Sequence, residues 1–281
     1  MVTRKKKMAL VIGAGAVKCA AALGMWKALA EHDIQFDMLV GCSGGSIYAA
    51  SMAMGFSLPE CIDATTRLWD RSITEKRNWR ALAGMVLPGV FGFDSRFGMV
   101  SDTPLLRSFN SVFGDRTFAD SHLPLYVVAA DFESGATVAL HEGRIVDALR
   151  SSVAIPFIWS AWPHQGRLLM DGAASNPLPV DVAIREGADI ILALGFESPL
   201  PRTVRSISRY AFHVNGLMTN NLLNSNFAFH NAVHHAEIIA VFPEFDQPIR
   251  LFDTHLIPYV IECGEQAMRA QLDYVQRLLA S

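Results

Sequence analysis

A serine, an aspartate and a glycine-rich loop are the residues of this chain whose types and surroundings can do chemistry together. Ser43 lies in "GCSGG", Gly41-Cys42-Ser43-Gly44-Gly45, a G-x-S-x-G pentapeptide. A serine there can attack acyl carbonyls if a strand precedes it and a helix follows, with the glycines allowing close backbone approach in the sharp turn. Its hydroxyl still needs a base to take the proton. Asp171, in "RLLMDGAASNPLP", is one candidate, brought by a strand-like run to a Gly172-Ala173 turn. An Asp-Gly pair is also an ordinary turn signal. The other candidates are histidines: His213, His230, His234, His235 and His255 all follow Asp171, which permits a Ser…Asp…His order. The residues leave both bases open.

The loop "IGAGAVK" contains Gly13, Ala14, Gly15, Ala16 and Lys18. As G-x-G-x-x-K it imitates a dinucleotide fingerprint, with Asp37 near the position of a ribose contact. Lys18 then stands where a third glycine would permit close helix–sheet packing, and Ser43 and Asp171 go unused. The same loop can instead offer backbone N–H groups to an oxyanion. A dinucleotide-binding oxidoreductase is therefore the weaker reading. A non-catalytic lipid-binding or interaction protein on the same scaffold is the remaining alternative, in which Ser43 does no chemistry.

The elements around these residues suit an acyl-transfer site. "MALVI" is a short apolar run fit for a strand buried on both faces. Ala21, Gly24, Met25, Ala28 and Leu29 then follow helical spacing. "FDMLV" predicts a second strand, directly before Ser43, and an Ala-rich helix follows at "GSIYAASMAM". Further strands are predicted at 125–130, 189–196 and 237–242, shorter ones at "ATVAL" and "GRLLM", and a closing helix over about 257–279. This β-α-β-α rhythm implies an α/β fold, a mostly parallel central sheet flanked by helices, read as one domain. Residues 66–100 lack clear periodicity and 203–235 are polar and helical in pattern; both suit caps over the sheet end. Trp69, Trp79, Phe91, Phe93 and Phe97 could line an acyl-binding wall or lid, although ordinary packing under a loop is the plainer account of most of them.

Bulk properties narrow the class. A net charge of −3 gives a nucleic-acid partner no electrostatic support. Four scattered cysteines with no C-x-x-C pair argue against a disulfide framework or a zinc site and fit a cytoplasmic setting. Arg4-Lys5-Lys6-Lys7 before an apolar run imitates a signal peptide, but the run stops at Lys18 with a poor cleavage pattern, so a strand entering a glycine loop is expected. No apolar stretch is long enough for a membrane span.

Taken together and in order, these segments resemble the patatin-like phospholipase family of serine acyl hydrolases. "ALVIGAGAVKCAAALGMWKALAE" is similar to its first strand, oxyanion loop and helix, and "FDMLVGCSGGSIYAA" to its nucleophile elbow. "LPLYVVAADFESGATVALHEGRIVDALRSSVAIPFIWSA" matches its central strand pair and Ser-Ser-x-x-x-Pro segment, and "GRLLMDGAASNPLPVDVAIREGADIILAL" its Asp-Gly-Ala block. The likeness spans most of 8–196, with thinner support to about 270. It implies a three-layer sandwich and a Ser43–Asp171 dyad without a catalytic histidine. It also implies oxyanion donors around Gly13, Gly15 and Ala16, with Lys18 at the family's basic position. The implied substrate is a phospholipid, lysophospholipid or other acyl ester, met by peripheral membrane contact, with no metal or cofactor. One departure stands out. Three consecutive family glycines fall on Ala14, Gly15 and Ala16, and a fourth on Cys19. Alanine keeps its N–H, so donation survives if no positive φ is required there, while Cys19 could crowd the helix start.

Overall fold

A computed structural model describes residues 5–69, 71–92, 94–198, 200, 203–205, 207–251 and 253–280. Its strands are β1 (Met8–Ile12), β2 (Met38–Cys42), β3 (Leu125–Asp131), β4 (Thr137–Leu140), β5 (Trp162–His164), β6 (Arg167–Asp171), β7 (Ile190–Leu194) and β8 (Glu237–Val241). They form one sheet in the order β5-β6-β3-β2-β1-β7-β8, with β4 paired to β3 off that path. Pairs β3/β2, β2/β1, β1/β7 and β7/β8 are parallel. Pairs β3/β4, β3/β6 and β5/β6 are antiparallel. The apolar run that imitated a signal peptide is the strand between β2 and β7, buried along its whole length.

Successive side chains of β1 point to opposite faces, as the period of two requires. Leu10 and Ile12 meet one core cluster, which includes Leu23, Ile47, Leu149 and Val260. These come from α1 (Ala21–Ala30), α2 (Gly44–Ala53), and, later in the chain, from the helices 145–152 and 257–269. Ala9 and Val11 meet the other cluster, with Val180, Ala183 and Leu223. Helices thus cover both faces, giving three layers.

Between α2 and β3 the chain makes an excursion through α3 (Leu58–Leu68), α4 (Trp79–Val86), α5 (Pro88–Phe91) and α6 (Asp102–Phe113). Its neck is pinned where Asn78 N–H donates to the Met99 carbonyl (2.9 Å) and Ser101 N–H to the Lys76 carbonyl (2.8 Å). Trp69 is buried, whereas Trp79, Met85, Leu87, Val90 and Phe91 are exposed. Phe93 lies outside the described residues.

The rest of the chain carries α7 (Ile145–Ser152), α8 (Val180–Arg185) and α9 (Ile207–Val233), then α10 (Ile257–Arg269) and α11 (Leu272–Ala280). The closing helix is therefore two helices rather than the single one expected. The Ala270 N–H still bonds the Gln266 carbonyl, but Gln271 N–H reaches back only three residues, to Met268, and the axis breaks there. All four cysteines are unpaired.

Sheet register brings the chemistry together. Cys42, the last residue of β2, pairs with Val128, but β3 runs on to Asp131. Strand β6 descends antiparallel along that overhang and ends with Asp171 opposite Ala129, one step beyond Cys42. On the other side, Ile12 at the end of β1 pairs with Gly41, so the glycine loop leaves the sheet beside the Ser43 turn.

Candidate active site

Strand β2 ends at Cys42 and α2 starts at Gly44, so Ser43 alone makes the turn, at φ 53° and ψ −128°. A residue with a Cβ pays about 1–3 kcal/mol to stay in such a region, so its surroundings must hold it there. Its N–H donates to Ser152 Oγ (2.9 Å), whose own hydroxyl donates to the Val128 carbonyl (2.6 Å). Its carbonyl accepts from Ser46 N–H (3.0 Å) and Ser46 Oγ (2.6 Å). The glycines are required by contact: a Cβ on Gly41 would strike the Ser46 backbone, and one on Gly45 the Ile12 carbonyl. Gly44 lies against the backbone of Ala16, which sets the oxyanion-type loop directly beside the elbow.

Ser43 Oγ donates to Asp171 Oδ2 at 2.6 Å. Asp171 Oδ1 accepts from Ala173 N–H at 2.9 Å, across the short turn begun by Gly172. Both side chains are almost fully enclosed, with Ser43 6 % and Asp171 3 % exposed. Burial pushes the Asp171 carboxyl up to about 6, although the bonds from Ser43 and Ala173 pull it down. Among the described residues no histidine hydrogen-bonds Ser43 or Asp171. Of the five candidates, only His213 lines the same cavity.

The loop donors differ from expectation. Gly13 N–H extends the β1–β7 ladder to the Leu194 carbonyl (2.9 Å), and Ala14 N–H bonds the Pro177 carbonyl (2.8 Å). Both are therefore spent on holding the loop, which removes Gly13 from the expected donors. Gly15 and Ala16 N–H have no acceptor among the described residues and flank the cavity with Ser43. Ala16 sits at φ 51°, so the loop does require positive φ where the family places glycine. Lys18 Nζ donates to the Glu197 carbonyl (2.7 Å) and rests over the Phe196 ring, and its burial lowers its pKa. Cys19 is accommodated without crowding: it is fully buried in the 3₁₀ turn before α1, and its thiol bonds the Gly13 carbonyl (3.3 Å).

Asp37 rules against the dinucleotide reading. It precedes β2, at the opposite end from the loop, and its carboxylate accepts from Met8 N–H (2.8 Å) and Lys5 Nζ (3.3 Å). Ribose-binding acids of that motif belong to the carboxyl ends of the strands.

Above Ser43 and Asp171 lies a cavity of about 580 Å³. Its far wall comes from Arg209, Phe212 and His213 on α9 and from Ile249, Arg250 and Leu251 on the loop before α10. None of the described residues of segment 66–100 lines it. Phe97 instead borders a second, mainly apolar cavity of about 450 Å³ with Phe132, Phe157 and Trp159, and Pro156 lines both. Sequence reasoning missed Ser152 as the partner of Ser43 N–H, although the serine pair in "RSSVAIP" was visible. The helix expected over 203–235 as a cap is α9, but its Arg209 and Phe212 and the 248–251 loop were not singled out as cavity lining.

Comparison with known proteins supplies an independent view. A family model described as patatin-like phospholipase matches residues 10–184. Patatin-like phospholipase domain-containing protein 7 of Rattus norvegicus is 29 % identical over 189 residues, which is 66 % of this chain but 13 % of the rat protein. A Mycobacterium bovis protein described as an uncharacterized NTE family protein is 27 % identical over 188 residues, 67 % of this chain and 48 % of the relative. The chain thus spans less than half the length of either relative. Among solved structures, VipD from Legionella pneumophila superposes with a TM-score of 0.51 at 12 % identity, covering 96 % of this chain and 67 % of VipD, a likeness of fold.

Proposed function

The chain belongs to the patatin-like phospholipase family, and from that premise we propose that it is a lipid acyl hydrolase with Ser43 as nucleophile and Asp171 as its general base. The observation that carries this reading is the 2.6 Å bond from Ser43 Oγ, on its strained elbow, to the buried carboxylate of Asp171. Ser43 Oγ attacks the ester carbonyl carbon as its proton passes to Asp171 Oδ2. The carbonyl oxygen becomes an oxyanion held by the open N–H groups of Gly15 and Ala16, with the N-terminus of α2 adding Gly44 N–H. One such donor contributes about 2.7–4 kcal/mol to a transition state of this kind. Asp171 then returns the proton to the departing alkoxide, leaving an acyl-serine. In the second half, water attacks the acyl carbon, gives a proton to Asp171, and the carboxylic acid departs as Ser43 regains its hydrogen. A carboxyl whose pKa is about 6 exchanges that proton near neutral pH far more readily than an ordinary aspartate. A histidine is not needed.

The exposed apolar side chains of α4 and α5 suit contact with a lipid surface. Trp79 is 72 % and Val90 75 % exposed, and Lys76, Arg77 and Arg80 stand exposed beside them. Among the described residues no helix is long and apolar enough to cross a membrane.

Labelling with a fluorophosphonate probe tests the chemistry. Wild type is expected to label covalently at Ser43, and Ser43→Ala to lose both labelling and ester turnover while keeping its circular dichroism. Full labelling of Ser43→Ala, or turnover that persists in it, overturns the proposal.

A further inference from the structure

The cavity over Ser43 has an uneven charge. Three cationic side chains line it, Lys18, Arg209 and Arg250, and the one anionic group among its described lining residues is Asp171 at the floor. Two carboxylates adjoining these cations are otherwise placed. Glu197 lies beside Lys18, whose ammonium it favours, and Asp253 accepts the backbone N–H of Arg250 (3.0 Å); neither lines the cavity. The two arginines come from α9 and from the loop before α10, beyond the 10–184 stretch that the family model matches. Between them and the floor the lining is apolar or neutral, with Phe212, Ile249 and Leu251 at hand for hydrocarbon.

A bound acyl ester presents its carbonyl to Ser43, so the remainder of the molecule must extend past the wall. A guanidinium holds a phosphate through paired N–H···O bonds, and Arg209 and Arg250 enter from separate elements. A fixed cation such as a choline ammonium would meet three like charges and, among the described lining residues, no carboxylate other than Asp171. We infer that Arg209 and Arg250 select acyl esters whose headgroup carries net negative charge, a terminal phosphate foremost, and select against headgroups that add a cation to the phosphate. This rests on the hydrolase reading for its pose, and deepens it by naming the class of headgroup.

The test separates binding from turnover. Dissociation constants are measured for three ether analogues with one alkyl chain, which no esterase can cleave: alkylglycerol 3-phosphate, alkylglycerophosphocholine and alkylglycerol. Each is held at about one mole per cent in neutral detergent micelles, which keeps micelle charge nearly constant. Wild type is expected to bind the phosphate ligand about ten- to a hundred-fold more tightly than the choline ligand, the range of one or two charged hydrogen bonds. In Arg209→Gln/Arg250→Gln the ratio is expected to fall to within about three-fold, and Arg209→Lys/Arg250→Lys to recover part of it. Because the readout is a ratio, loss of folded protein does not imitate it. Equal binding of the phosphate and choline ligands by wild type overturns the inference, as does a ratio unchanged in the glutamine variant. The corresponding esters give the second arm. Turnover without headgroup preference sinks the headgroup inference alone, whereas headgroup-selective binding of the ethers with no turnover of any ester sinks the hydrolase reading and leaves the site as an anionic-lipid binder.

Discussion

The floor and the far wall of the cavity are built on different principles. At the floor, backbone geometry does the placing: β2 and β6 bring Ser43 and Asp171 within 2.6 Å, and Ser152 and Ser46 tie down the turn. The groups are buried and their polar atoms have partners inside the protein. The wall instead offers side chains from α9 and the 248–251 loop, with Arg209, Phe212 and Arg250 exposed. Nothing in the sheet fixes what those side chains must be. A site divided in this way can keep one reaction while its wall changes what is admitted, as fold and site are separable in general. Substitutions in the floor should therefore alter kcat for every ester alike, and those in the wall should change preference among esters.

The largest effect is expected at Asp171. Asp171→Asn removes the proposed base and should lower kcat by about two to four orders of magnitude on a short soluble ester and a long-chain lipid equally. It should also make the protein more stable at neutral pH. Burial raises the folded carboxyl from 3.8 to about 6, so the folded state binds its proton more tightly than the unfolded one. Stability is then full below about pH 4 and is lost as pH rises through 6, by about 3 kcal/mol. Thermal melts of wild type and Asp171→Asn should converge at pH 4 and separate by pH 7, with the variant higher. The wild-type kcat/KM should rise to a plateau with an apparent pKa of about 6. A variant less stable at pH 7, or a profile flat from pH 5 to 8, breaks the account of the floor.

Ser152 tests whether the floor depends on placement as well as chemistry. Ser152→Ala leaves Ser43 N–H and the Val128 carbonyl buried without their partner, at a cost of about 1–3 kcal/mol each. Ser152 acts through Ser43, so kcat is expected to fall about ten-fold with KM little changed, on both esters. Ser152→Thr keeps a hydroxyl and should restore most of the loss. A fall confined to the lipid ester would place Ser152 with the wall instead.

The same division governs what the sequence could show. The elbow, the Asp171 turn and the strands were legible because each depends on local letters: apolar runs, Gly41 and Gly45 packed against backbone, an Asp at a strand end. Their meeting was not local. It depends on β3 outrunning β2 by the length that lets β6 pair with the overhang, which no run of residues announces. The donors were partly misjudged for a similar reason. Gly13 and Ala14 look available in the sequence, yet their N–H groups are taken by Leu194 and Pro177, far along the chain. The wall was legible only as a helical cap over 203–235; which of its side chains face the cavity was not, since an arginine near the start of a polar helix reads as surface. Segment 66–100 was the opposite case: its aromatic letters allowed a wall or lid over Ser43 as well as ordinary packing, and of the described ones Trp69 is buried, Trp79 and Phe91 are exposed, and Phe97 borders the second cavity.

Ala16 is where the floor falls short of its own pattern, and it gives the smallest and most discriminating effect. Its φ of 51° costs an L-residue about 1–2 kcal/mol that glycine avoids. Glycine also gives the unfolded chain more freedom, which offsets about 0.4–1 kcal/mol of that gain. Ala16→Gly should therefore stabilise by about 1 kcal/mol or less, a rise of at most about 2–4 °C in Tm for a chain of this size. The N–H that faces the oxyanion belongs to the backbone and is unchanged, so kcat should stay within about two-fold on either ester. If the gain in Tm comes with a ten-fold loss of kcat, the methyl group is holding the donor in line. The strain at Ala16 would then be part of how the loop works rather than a tolerated departure from glycine.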